Sequence, residues 1–153
     1  MICFETSLKV RTYECDSYGH VNHAIFLHYC EVARIEFLSA LGYDLNGLMR
    51  QGLLLPIVKI EIEYKQPAYA NQELRLTLEW LNRGKSSAVF RQEIYDKEKS
   101  YLIACAQVTW VTTDLQGKPI TIPDELIHRY KKFSGQVPPQ KLITRQKNLA
   151  GNE

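Results

Sequence analysis

The chain has 153 residues, 45% hydrophobic and 24% charged, a length and composition that fit one globular domain with its own core. Its 19 basic and 17 acidic residues nearly cancel, which argues against nucleic acid or an anionic membrane surface as the main partner. No stretch approaches the roughly 20 apolar residues of a membrane span, and the start MICFETSLKV reaches Glu5 and Lys9 before a signal-like apolar run can develop. The four cysteines, Cys3, Cys15, Cys30 and Cys105, form no CxxC pair and read as reduced thiols of a cytoplasmic protein.

In chain order, residues 6–13 (TSLKVRTY) alternate as a first strand. A polar stretch from Glu14 to Asn22, with Asp16, Ser17 and Gly19, reads as a loop. The spacing of Phe26, Tyr29, Cys30, Ala33, Phe37 and Leu41 predicts a helix from about His23 to Leu41. Leu27, Ile35 and Leu38 widen its apolar stripe, so the helix should be enclosed on more than one side. Gly42 stops it, and Asp44 caps a short second helix. After Pro56 the period changes to two. Val58, Ile60, Ile62 and Tyr64 alternate with Lys59, Glu61, Glu63 and Lys65, a strand with one dry and one wet face. Strands follow over 73–82, 86–95 and 101–113, separated by turns at Asn82-Arg83-Gly84-Lys85 and Asp96-Lys97-Glu98-Lys99. Pro123 opens a last helix over about 124–132.

One long apolar helix is available to cover the apolar face of a four-strand meander plus the first strand. The expected class is α+β, a five-stranded antiparallel sheet wrapped around one long helix, the hot-dog architecture. It occupies residues 1–133, and the tail 134–153, with Pro138-Pro139 and no period, is expected to be loosely attached. A sheet with open edges is also a hazard that pairing between subunits removes, so at least a homodimer is expected.

Chemistry concentrates in Tyr13-Glu14-Cys15-Asp16-Ser17-Tyr18-Gly19-His20-Val21-Asn22-His23, between the first strand and the helix start. Free N–H groups at a helix start can stabilise an oxyanion, and Asp16 lies close to them in sequence. Three chemistries compete here. Asp16 can serve acyl transfer as nucleophile or general base. Asp16, His20, His23 and His28 can be considered as metal ligands, although their spacing matches no standard zinc motif. A Cys15–His pair is the third, and the neighbouring carboxylate disfavours its thiolate. A plain capped turn explains the same residue types. Glu31 and Arg34 have the spacing of a helix-surface pair.

The run Tyr13-x-x-Asp16-x-x-Gly19-His20-Val21-Asn22-His23, followed by Phe26-Leu27-x-Tyr29-x-Glu31-x-Ala33-Arg34, resembles the signature of the 4-hydroxybenzoyl-CoA thioesterase family. Within that family it is most similar to the acyl-CoA thioesterase branch. The resemblance covers about residues 6–133 and includes Thr113-Asp114-x-x-Gly117-Lys118-Pro119. It implies hydrolysis of acyl-CoA to a free acid and coenzyme A, with no metal or other cofactor, by a homodimer or a dimer of dimers. Asp16 falls on the family's catalytic aspartate, and His23 on the position whose backbone N–H faces the thioester oxygen. Tyr13, Gly19, Val21 and Asn22 shape the loop. The resemblance further places Arg83, Lys85 and Ser86 near the coenzyme A phosphates, in a turn often supplied by the neighbouring subunit, and Pro56 and Ile57 beside the acyl group. Aromatic acyl-CoA or acyl-carrier-protein substrates, and a non-catalytic acyl-CoA-binding module, are the alternatives.

Overall fold

The computed structural model describes residues 4–141. Its sheet is built from β1 (Phe4–Lys9), β2 (Ile57–Tyr64), β3 (Glu73–Arg83), β4 (Ser87–Asp96) and β5 (Leu102–Val111). The long helix α1 (Ile25–Ala40), the short α2 (Leu45–Arg50) and α3 (Asp124–Ser134) complete it. All strand pairs are antiparallel, in the order β1-β3-β4-β5-β2.

The five strands and the long helix stand as expected, but the neighbours differ. Only β3, β4 and β5 form a meander; β2 lies at the far edge beside β5, and β1 pairs with β3. Alternation assigns a strand's faces and leaves its neighbour open. The first strand also ends earlier than its pattern, because pairing with β3 stops at Lys9 opposite Glu73. Thr12–Glu14 instead forms a single 3-10 turn.

Phe26, Tyr29, Cys30, Ala33 and Phe37 are the buried stripe of α1. They face the inward residues of the sheet, among them Leu74, Leu76, Leu78 and Trp80 of β3. Each such apolar side chain contributes about 1.5–3 kcal/mol by leaving water. Phe37 is the hub of an aromatic cluster, with ring centroids 5.7 Å from Phe4 and Phe90 and 6.1 Å from Tyr130 and Phe133. Gly42 ends α1 at φ 83°, and a Cβ there would sit 2.8 Å from Arg129 Nη1. Asp44 Oδ1 accepts the Gly47 N–H at 2.6 Å and caps α2 as expected.

Two expectations about surfaces change. Arg34 turns inward rather than pairing with Glu31 on the helix surface. Its Nη1 donates to Gln92 Oε1 at 3.1 Å, while the buried Gln92 donates to the Cys30 carbonyl at 2.9 Å. Burial pushes the Arg34 pKa down from its ordinary value. The tail, expected to be loose from residue 134, is docked as far as Lys141. Pro138 is buried, the Arg83 N–H donates to the Pro139 carbonyl at 2.8 Å, and the Lys141 N–H donates to the Arg83 carbonyl at 2.8 Å. β3 runs beyond Leu78, the partner of Phe4, and the tail pairs with that extension. Residues 142–153 lie outside the described residues.

Asp96 ties the β4–β5 turn, accepting from the Lys99 N–H and from Gln72 Nε2. Those bonds, that from Gln72 first, hold its carboxyl below the ordinary aspartate range. A depressed folded-state pKa gives stability that is present above the unfolded value of about 3.9 and is lost as pH falls through the folded value. Between about pH 5 and pH 3, the melting temperature of Asp96→Asn should therefore fall less steeply than that of the wild type. Parallel melting curves check this, and equal slopes would remove Asp96 from the acid response.

Candidate active site

The loop between β1 and α1 is a small closed structure held by its own backbone. The Asp16 N–H donates to the His20 carbonyl at 2.9 Å, and the Gly19 N–H donates to the Asp16 carbonyl at 3.0 Å. Cys15 and Val21 form a bridge. The turn requires φ 79° at Gly19, the left-handed region that a side chain disfavours. The Val21 N–H donates to Ala68 at 2.8 Å and the Asn22 N–H to Glu14 at 2.9 Å, which fixes the loop to its neighbours. The ring of Tyr69 meets that of His20 edge-on at 5.3 Å.

Asp16 Oδ1 accepts the Tyr18 N–H at 2.9 Å, an Asx turn. Among the described residues, Oδ2 has no hydrogen-bond partner, so one oxygen orients the carboxylate and the other is available to chemistry. Asn22 acts at the helix start. Its Oδ1 accepts the Ala24 N–H at 2.9 Å and its carbonyl accepts the Ile25 N–H at 2.9 Å. Tyr64, the last residue of β2, donates its hydroxyl to the His23 carbonyl at 2.8 Å. Burial raises the Tyr64 pKa, keeping the phenol a donor. The His23 N–H has no partner among the described residues.

These groups share one open pocket, lined by Asp16, His20, Val21, His23, Phe26 and Tyr64 and by Lys65, Gln66 and Pro67, which follow β2. Asp16, His23 and Val21 thus line one pocket, and Asn22 and Gly19 lie in the loop beside it. Tyr13 does not line the pocket and is 84% exposed. No residue pattern marks Lys65, Gln66 and Pro67 as pocket residues, because their place depends on β2 lying at the sheet edge. Tyr64 carried the alternation of a core residue and gave no sign of its hydroxyl's role. Among the described residues no three His, Cys, Asp or Glu side chains converge as metal ligands. His28 in particular does not line the pocket.

The remaining expected residues lie elsewhere on this chain. Tyr64 pairs with Ala104 at one end of β5, whereas Ser87, next to Ser86, pairs with Val111 at the other. At about 3.4 Å per residue, the Arg83–Lys85–Ser86 turn is about 24 Å along the sheet from the Asp16 pocket. Lys85 and Ser86 offer their carbonyls to Ile122 and Thr112. Ile57 lines a separate apolar cavity of about 110 Å³ with Ile35, Leu38, Leu55 and Trp110, while the Pro56 carbonyl accepts from Val111 at 3.0 Å.

A five-stranded antiparallel sheet packed on one long helix is the hot-dog arrangement. The chain belongs to the thioesterase-like superfamily, whose family model matches residues 10–130. It is 29% identical over 130 residues to the long-chain acyl-CoA thioesterase FadM of Escherichia coli, covering 84% of this chain and 98% of that one. It is 26% identical over 132 residues to the acyl-acyl carrier protein thioesterase ATL3 of Arabidopsis thaliana, covering 86% and 70%. The crystal structure of a 1,4-dihydroxy-2-naphthoyl-CoA thioesterase from Synechocystis superposes with a TM-score of 0.78 at 25% identity, covering 83% and 94%.

Proposed function

We propose that this protein hydrolyses acyl-CoA thioesters to a free acid and coenzyme A, with Asp16 as the catalytic carboxylate. The observation that carries the reading is the meeting of a free Asp16 oxygen and an unpartnered His23 N–H in one pocket. A thioester carbonyl resting on that N–H has its developing oxyanion stabilised by a helix-start donor. Asp16 then either removes a proton from the attacking water or attacks the carbonyl itself. The first route yields the acid directly; the second gives a mixed anhydride that water cleaves. In both, the C–S bond breaks and coenzyme A leaves as thiolate, to be protonated by solvent. The named activities of FadM and ATL3 favour acyl-CoA and acyl-carrier-protein esters respectively. Thiol release across acyl-CoAs of graded length, an aromatic acyl-CoA and an acyl-carrier-protein ester tests the choice. Fastest turnover of the carrier-protein ester would overturn the acyl-CoA assignment, and fastest turnover of the aromatic ester would move it to the aromatic acyl-CoA alternative.

The working unit we infer is a homodimer joined along β2, with a dimer of dimers as the larger alternative. β2 is an edge strand with Val58 59% exposed, and Leu27, Val32 and Ile35 leave one side of α1 open. Antiparallel pairing about a twofold axis would set the Ile57 end of one β2 against the Tyr64 end of the other. It would carry the Arg83–Lys85 turn and the apolar cavity of one chain towards the Asp16 pocket of its partner. The double variant Leu27→Asp/Val58→Asp should run as a monomer in light scattering and lose at least about tenfold in turnover while keeping its circular dichroism. A monomeric variant with full activity would sink this arrangement. The free thiols of Cys15, Cys30 and Cys105 support a cytoplasmic setting. Among the described residues, no helix is long and apolar enough to cross a membrane.

A further inference from the structure

We propose that Tyr64 is a positioning residue that aims the His23 N–H at the reacting carbonyl. The proposal rests on the acyl-transfer reading of the Asp16 pocket. Two peptide groups flank the His23 Cα. In the peptide joining His23 to Ala24, the carbonyl accepts from the Tyr64 hydroxyl at 2.8 Å and the N–H donates to Asn22 Oδ1 at 2.9 Å. That plane is therefore clamped from both sides. In the peptide joining Asn22 to His23, the carbonyl accepts from the Ile25 N–H at 2.9 Å. Its own N–H, that of His23, has no partner among the described residues and borders the pocket of Asp16. With both planes held, the direction of the His23 N–H is set before a ligand arrives, as electrostatic stabilisation of an oxyanion requires.

Tyr64 holds this plane from a different element. It ends β2, and its ring packs on Phe26 of α1 with centroids 5.4 Å apart. The helix start alone cannot supply this restraint, since Asn22 reaches only the N–H side of the peptide. Without the Tyr64 hydroxyl the His23 carbonyl turns to water, the His23–Ala24 plane rotates about its bond to Asn22, and the His23 Cα that joins it to the Asn22–His23 plane shifts, carrying the His23 N–H with it. Small errors in donor placement are costly because the oxyanion bond is strong only in good geometry.

The test is Tyr64→Phe, which keeps the ring against Phe26 and removes only the hydroxyl. On the best thioester substrate, kcat should fall about tenfold with KM within about twofold and an unchanged melting temperature. Asn22→Ala, which frees the other side of the same peptide, should also lower kcat more than it raises KM. The double variant should lose less than the product of the two single losses, because both act on one peptide plane. An unchanged kcat in Tyr64→Phe overturns the role of Tyr64, as do parallel losses in kcat, KM and melting temperature. If wild type cleaves the thioester and Asp16→Asn does not, that failure belongs to Tyr64 alone. If wild type and Asp16→Asn are equally active, the Asp16 reading falls and the proposal falls with it.

Discussion

Asp16→Asn should lower thioester turnover by about three orders of magnitude, the scale of losing a general base or nucleophile, while leaving the fold intact. The substitution is nearly isosteric. An asparagine oxygen can still accept the Tyr18 N–H that Asp16 Oδ1 accepts, so the loop keeps its Asx turn. What disappears is the negative charge on the oxygen left free for chemistry. The variant therefore separates the two roles that the sequence offered for Asp16. If it were only a turn former, activity would survive. If it is the catalytic carboxylate, kcat collapses while the melting temperature barely moves. Single-turnover reaction in ¹⁸O-labelled water then distinguishes the routes. Label incorporated into the Asp16 carboxylate marks it as nucleophile; where the label appears only in the released acid, trapping with hydroxylamine decides, an Asp16 hydroxamate marking the anhydride and its absence marking the base.

The largest stability effect should come from Phe37→Ala, at about 3–5 kcal/mol. Phe37 is 1% exposed and touches rings from β1, β4 and α3. Truncation leaves a void whose walls belong to three separate elements, and rings seated on a sheet collapse into it poorly. For a chain of this size the loss corresponds to a fall of roughly 10 °C in melting temperature. Denaturant titration checks the free energy. A loss under about 1 kcal/mol would mean that the cluster repacks. Phe37 lies four helical turns beyond His23, at about 3.6 residues per turn. Turnover by the folded fraction at low temperature should therefore remain near that of the wild type.

Much of this could be read from residue pattern alone. The stripe Phe26, Tyr29, Cys30, Ala33, Phe37 announced α1, and the strands expected over 73–82 and 86–95 are β3 and β4. The pocket was legible in part, since Asp16 and His23 fall in one short segment whose loop closes on itself. Strand order was not legible, because nothing in a period-two pattern says that β2 lies beside β5. That gap hid the clamp on His23, since Tyr64 looked like one more alternating residue of β2. The Arg83–Lys85 turn, expected near the ligand in a position often supplied by the neighbouring subunit, is held by one chain at the end of the sheet opposite the Asp16 pocket. The docking of Pro138 depends on β3 outrunning its pairing with β1 at Leu78, a length mismatch visible only in three dimensions.

The docked tail bears on how Arg83 can act. Its Nε donates to the Pro138 carbonyl at 3.3 Å, and its backbone is paired on both sides of the same tail segment. A free arginine on a turn loses about 2 kcal/mol of rotamer entropy when it grips a ligand. Here part of that loss is already met within the fold, because the Nε bond to Pro138 restricts the orientation of the guanidinium. The residues just past the family match at residue 130 thus brace Arg83, and in the proposed coenzyme A site they would hold its cation in place before a phosphate arrives.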